Sequence, residues 1–116
     1  PYRMGGKLGS DFEVPLGLYL QAAPPRDILA RMLRNLKEIF RSQKHGSQWL
    51  AVQERLIVLS PESWPEYRDR GLAWAELGDA QLAVKDLEIY IAQTADALDR
   101  DAMQRRVSEL RREPNT

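Results

Sequence analysis

Side chains able to do chemistry are scarce in this sequence, and their spacing suits no familiar reaction. There is no cysteine, which excludes disulfides, thiolate metal sites and a cysteine nucleophile within the chain. His45 is the single histidine, so neither a His-based dyad nor a two-histidine metal site can form. It falls near a helix end beside Gly46 and reads as a solvated cap residue. Asp96, Asp99 and Asp101 lie close together, but their register fits no calcium loop, which needs a longer set of oxygen ligands and a glycine at the bend. They read as helix caps. Gly5-Gly6 follows no strand and opens no helix, so it makes a poor phosphate cradle. No catalytic, cofactor or metal-binding residue is assigned, and the chain is not expected to be an enzyme on its own.

Charge is the chemical signal that remains. Overall it is balanced, 17 basic against 17 acidic residues, so no global field recruits nucleic acid or an anionic membrane. Between Arg26 and Lys44, however, six basic residues face two acidic ones. Arg31, Arg34, Glu38 and Arg41 recur at steps of three and four and share one face of a helix. Such a face is either solvated or a groove for an acidic or C-terminal protein segment. RNA is not the expected ligand, because no aromatic side chains interleave with the arginines.

The elements that must carry these residues are helices. Apolar periodicity, prolines and caps place them at about 25–44, 47–59, 64–77, 80–94 and 99–112. Pro24-Pro25 opens the first, whose stripe is Ile28, Leu29, Met32, Leu33, Leu36, Ile39 and Phe40. Gly46 is expected to stop it in a left-handed conformation, and Ser47 to cap the second, which shows Trp49, Val52, Leu56 and Leu59 on one face. Ser63 and Glu66 are spaced as a capping box around Pro65. The fourth helix buries Ala83, Val84, Leu87, Tyr90 and Ile91; the fifth sets Met103, Val107 and Leu110 against a charged outer face. Residues 1–24 differ. Phe12, Val14, Leu16, Leu18 and Leu20 alternate, but Pro15 and Gly17 interrupt them, which predicts an extended arm rather than an interior strand. Its apolar side needs cover, from this domain, a missing domain or a second copy in a homodimer. No run approaches the roughly 20 apolar residues that span a bilayer, no signal-peptide pattern is read, and a cytoplasmic location is expected. Opening on Pro1, the sequence reads as a piece of a longer chain.

One stretch sets the architecture. Gly71, Trp74, Gly78, Ala83 and Leu87 are spaced as in a tetratricopeptide repeat, in which two short helices cross closely through a tight turn. Gly71 and Ala83 are small at the crossing, Trp74 and Leu87 fill the space beside it, and Gly78-Asp79 turns the chain and caps the next helix. Shifting the sequence by 34 residues lays Phe40 on Trp74 and Leu56 on Tyr90, but also Lys37 on Gly71 and Trp49 on Ala83. The first unit therefore departs at both small positions, and its helices should pack less closely. The expected fold is all-α: a tetratricopeptide-type superhelix of about two hairpins over residues 25–113, with a C-terminal capping helix. Arg70 stands where such repeats are usually apolar, so its stem should lie along the core with its head paired to a neighbouring carboxylate such as Asp86.

A closer resemblance rests on Glu66-Tyr67-Arg68-Asp69-Arg70-Gly71-Leu72, Ala75-Glu76-Leu77-Gly78, the Ala83–Tyr90 run, and Ile28 to Lys37. These resemble the C-terminal part of the SirB-type proteins, bacterial proteins with an N-terminal transglutaminase-like domain and a C-terminal tetratricopeptide region. The resemblance covers roughly residues 24–110, and it implies that any catalytic Cys and His would lie outside this chain. The tetratricopeptide resemblance implies that Arg31, Arg34, Glu38, Arg41, Arg68, Leu72 and Ala75 line a concave groove. A carboxylate clamp of the chaperone-binding type is not expected there, because Glu38 and Asp69 occupy two of its positions. The expected function is a non-catalytic contact with a protein or peptide, acidic by complementarity, or with the missing N-terminal domain. The alternative is a portion of a transglutaminase-like enzyme.

Overall fold

A computed structural model describes residues 25–113; the expectations for the 1–24 arm, Gly5-Gly6 included, lie outside the described residues. Five helices follow one another: α1 (Arg26–Ser42), α2 (Gly46–Leu59), α3 (Trp64–Glu76), α4 (Ala80–Gln93) and α5 (Arg100–Arg112). No strand occurs among the described residues, and the all-α expectation holds. The chain divides into two compact units, Pro1–Met32 and Leu33–Thr116. The described part of the first is the start of α1. There the Leu29 amide donates to the carbonyl of Pro25 at 3.1 Å, Ala30 is buried and Arg31 is exposed.

In the second unit, close helix-to-helix approach joins α2 to α3, α3 to α4, and α4 to α5. The tightest feature is Gly71. A Cβ there would stand 3.0 Å from the backbone oxygen of Ala83 and 2.9 Å from Cγ of Leu87. The missing side chain is what lets α3 and α4 touch, and Ala83 and Leu87 are wholly buried as a result. Val107 and Leu110 of α5 complete this core, and Leu72, Trp74, Ala75, Val84, Ile91 and Met103 pack around it. Burial of a side chain such as Leu87 is worth about 2 kcal/mol. The turn before α4 follows its chemistry. Gly78 has φ +89°, a conformation open to glycine at little cost, and the Leu82 amide donates to Oδ1 of Asp79 at 3.0 Å.

Two turns differ from the sequence reading. The left-handed residue after α1 is Lys44, with φ 59°, and Gly46 is the first residue of α2, which His45 rather than Ser47 precedes as the cap position. Gly46 is small for another reason: a Cβ there would meet Cδ2 of Leu77 at 2.8 Å. Ser63 does stand before α3, with a proline in the first turn, but its side chain makes no capping bond. Its backbone oxygen accepts from the Glu66 amide, while the Glu66 carboxylate turns inward to partners described below.

Within the second unit, the two small positions of the α3–α4 crossing have large counterparts on α1 and α2. Trp49 is buried at the position equivalent to Ala83, and Lys37 is buried at the position equivalent to Gly71. The Leu33–Ser42 part of α1 makes no close backbone approach like that of α3 to α4.

Candidate functional site

The helix face singled out by charge is partly open and partly spoken for. On α1, Arg34 is exposed and makes no ion pair among the described residues. Glu38 and Arg41 are exposed and satisfy each other, with Nη2 of Arg41 donating to Oε1 of Glu38 at 2.5 Å. That hydrogen bond and charge raise the guanidinium pKa above its ordinary value, against a smaller opposing effect of burial. On α3, Leu72 and Ala75 are half-buried and lean on the core. Arg68 is half-buried as well, and its guanidinium is already taken. Nε donates to Oδ1 of Asp69 at 2.8 Å, Nη1 donates to Oδ2 of Asp99 at 3.0 Å, and the group lies 5.4 Å above the centre of the Tyr90 ring. Of the residues assigned to the groove, Arg34 is thus a cation left open to a partner, whereas Arg68 is an internal tie.

Behind this face runs a polar cluster that crosses four helices. Nζ of Lys37 sits 3.0 Å from Oε1 of Glu66 and 2.6 Å from Oδ2 of Asp69. Gln53, with no exposed surface, donates from Nε2 both to Oε1 and to the backbone oxygen of Glu66, at 2.9 and 3.1 Å. Its own Oε1 accepts from Nε1 of Trp49 at 3.3 Å. Asp69 passes the chain on to Arg68, Arg68 to Asp99, and Asp99 accepts from the Tyr90 hydroxyl at 2.5 Å. Each buried side chain in this set finds a partner, the condition under which such a network holds a fold in one arrangement. Asp99 does stand at the cap position of α5, but its side chain makes no capping bond. It serves Arg68 and Tyr90 instead. Among the described residues no His, Asp and Glu group has metal-holding geometry. His45 is exposed, with its ring 6.3 Å from that of Phe40.

Sequence reasoning missed Lys37, Gln53, Glu66 and Asp69 as a group. The signal was present in the 34-residue overlay, where a lysine stands at a position that packs against another helix. Such an ammonium has to be paired if it is buried. Glu66 and Asp69, three apart on α3, offer one face with two acceptors. The Arg70–Asp86 pair, by contrast, forms as expected, with Nε and Nη2 of Arg70 donating to the two carboxylate oxygens at 2.7 and 2.9 Å.

The electrostatics of the cluster predict a window of stability. Burial alone would push the Asp99 carboxyl up; the hydrogen bonds from Tyr90 and Arg68 outweigh it and hold the group below the ordinary carboxylate range. Burial, then the Asp99 hydrogen bond and charge, push the Tyr90 hydroxyl up. For Arg68, burial pulls the guanidinium down, and Asp69 and Asp99 together more than reverse it. A lowered acid contributes stability that is complete above its unfolded pKa of about 4 and is lost as pH falls through the folded value. A raised tyrosine contributes stability complete below about 10 and lost as pH rises through its folded value. The difference in melting temperature between wild type and Asp99→Asn should therefore be widest between those limits and narrow as pH drops below about 4. A difference independent of pH would show that Asp99 holds no charge-dependent role.

A family model described as tetratricopeptide repeat matches residues 36–108. Among curated proteins, a UPF0162 protein of Xylella fastidiosa (strain Temecula1) is 34% identical over 88 residues, which is 76% of this chain and 31% of that protein. Protein SirB1 of Salmonella typhimurium (strain LT2) is 31% identical over 74 residues, 64% of this chain and 28% of that protein. UPF0162 protein YchA of Escherichia coli (strain K12) is 30% identical over 74 residues, again 64% and 28%. The chain thus spans under a third of the length of these relatives. No solved structure matches it.

Proposed function

This chain belongs to the tetratricopeptide repeat family, and from that premise we propose that it works by non-catalytic contact, offering the α1–α3 face to a segment of another protein or of a longer parent chain. The observation that carries this reading is the division of labour among the arginines. Arg68 and Arg70 are committed to internal carboxylates, while Arg34 stands in solvent with no ion pair among the described residues. A carboxylate-bearing segment is the complementary ligand, because it supplies the charge that α1 lacks. The similarity to SirB1 and the UPF0162 proteins, together with the short span of this chain against theirs, favours an interdomain setting in a bacterial cytoplasmic protein. In that setting the face would position a transglutaminase-like domain carried elsewhere in the parent. The second reading, that the chain is the helical portion of such an enzyme, rests on the resemblance to the SirB-type proteins alone. No described helix is long and apolar enough to cross a membrane.

The test is affinity capture from an extract of the source cell with wild type and with Arg34→Glu. A bound protein, or the separately expressed remainder of the parent chain, should be retained by wild type and lost with Arg34→Glu at unchanged helicity. Retention of the same protein by both forms would count against the face. Arg68→Glu is unsuitable for this purpose, because it would set a third carboxylate beside Asp69 and Asp99 and disturb the fold itself.

A further inference from the structure

We propose that Lys37 is a latch: its ammonium, rather than apolar packing, positions the Leu33–Ser42 segment of α1 against α3, and this segment opens as a unit while α2–α5 stay folded. The inference deepens the groove reading and rests on it for its functional sense, because Arg34, Glu38 and Arg41 flank Lys37 on the same helix.

Three observations meet here. First, the α3–α4 crossing is a close backbone approach at Gly71, whereas the equivalent position in the first hairpin is filled by a lysine whose Nζ reaches across to Glu66 and Asp69. Second, within Leu33–Ser42 the buried residues are Leu33 and Lys37 alone; Leu36 and Phe40 are half-buried and Ile39 is exposed. A segment with so little apolar anchorage belongs to the low-stability end of a fold. Third, the acceptors of Lys37 are rigid. Glu66 is fixed by Gln53, which is in turn fixed by Trp49, and Asp69 is fixed by Arg68. The charge meets a preformed receptor on the α2–α3 side, so the position of the segment is set by one directional contact. Opening it moves Arg34, Glu38 and Arg41 away from α3, the helix that carries Arg68 and Leu72. Lys37 is accordingly a positioning residue for the groove and touches no partner itself.

The chain has no cysteine, so two introduced thiols report cleanly. Spin labels at Asn35→Cys and Lys85→Cys, both exposed positions, give a distance distribution between α1 and α4, and hydrogen exchange reads each helix separately. With Lys37→Met the distribution should broaden and the exchange of α1 amides rise on the order of a hundredfold. Protection of α4 and α5 should be unchanged, and Lys37→Arg, which keeps the charge, should restore the narrow distribution. Two results would overturn the proposal. One is a Lys37→Met chain whose distribution and exchange match wild type. The other is loss of protection spreading equally through α3–α5, up to failure to fold, which would place Lys37 in a common core. These readings are taken without a partner, so they are independent of whether Arg34→Glu abolishes binding.

Discussion

Asp86→Ala should cost about 1.5–3 kcal/mol of folding stability, the usual consequence of removing hydrogen bonds to a charged group. The Asp86 side chain is 4% exposed and that of Arg70 is 24% exposed. Both carboxylate oxygens are used in a two-pronged contact that lysine could not reproduce. The Asp86 hydrogen bond, offset in part by burial, holds the Arg70 guanidinium above its ordinary pKa; with Asp86 gone the arginine still keeps its proton, because a guanidinium is intrinsically too basic to shed it. Its stem is fixed beside the Tyr67 ring, with the guanidinium 5.6 Å from the ring centre, and that ring is anchored by its hydroxyl donating to the Pro61 carbonyl at 2.8 Å. Urea unfolding of Asp86→Ala and of Arg70→Met/Asp86→Leu separates pairing from packing. The double variant should regain much of the loss, because it leaves no charge unpaired. An Asp86→Ala variant as stable as wild type would show that the pair contributes nothing.

The second large effect belongs to Gly71. Alanine in the interior of a helix is normally better than glycine by about 1 kcal/mol. Here the new methyl would press on the Ala83 backbone oxygen at 3.0 Å and on the branch of Leu87, neither of which can swing aside. Gly71→Ala is therefore expected to be destabilising by about 1–3 kcal/mol, and Gly71→Leu to separate α3 from α4. Gly46 provides the control. Its close neighbour is the end of the Leu77 side chain, which is 42% exposed and free to rotate away. Gly46→Ala should fall within about 1 kcal/mol of wild type. Thermal unfolding followed by circular dichroism reads both, and equal effects at 46 and 71 would remove the special status of the α3–α4 crossing.

These two predictions mark what the sequence made legible. Small residues at 71 and 83, glycine at 78 and aspartate at 79 each have one conformational use, so local spacing was enough to place the second hairpin. Arg70 and Asp86 could be paired in advance because a charged residue at a packing position demands a counter-charge on the neighbouring helix. The cluster around Lys37 follows the same rule and was missed. Its acceptors sit on α3, and Glu66 also fits the spacing of a capping box, a local pattern that tertiary pairing overrode. Asp99 misled in the same way, as a cap residue by position whose carboxylate serves Arg68 and Tyr90. Arg68 shows the limit of repeat position as a guide. Its place in the repeat assigns it to the groove, while the distances to Asp69 and Asp99 commit it to the fold.

The claim on which the functional account turns is that Arg34 of α1 offers an uncommitted positive charge to a partner. A titration of the captured protein against wild type, Arg34→Glu and Arg105→Glu tests it most directly, since Arg105 is also an exposed arginine, on α5. The account predicts an affinity loss of at least about tenfold for Arg34→Glu and none for Arg105→Glu. Equal losses, or unchanged affinity for both, would contradict it.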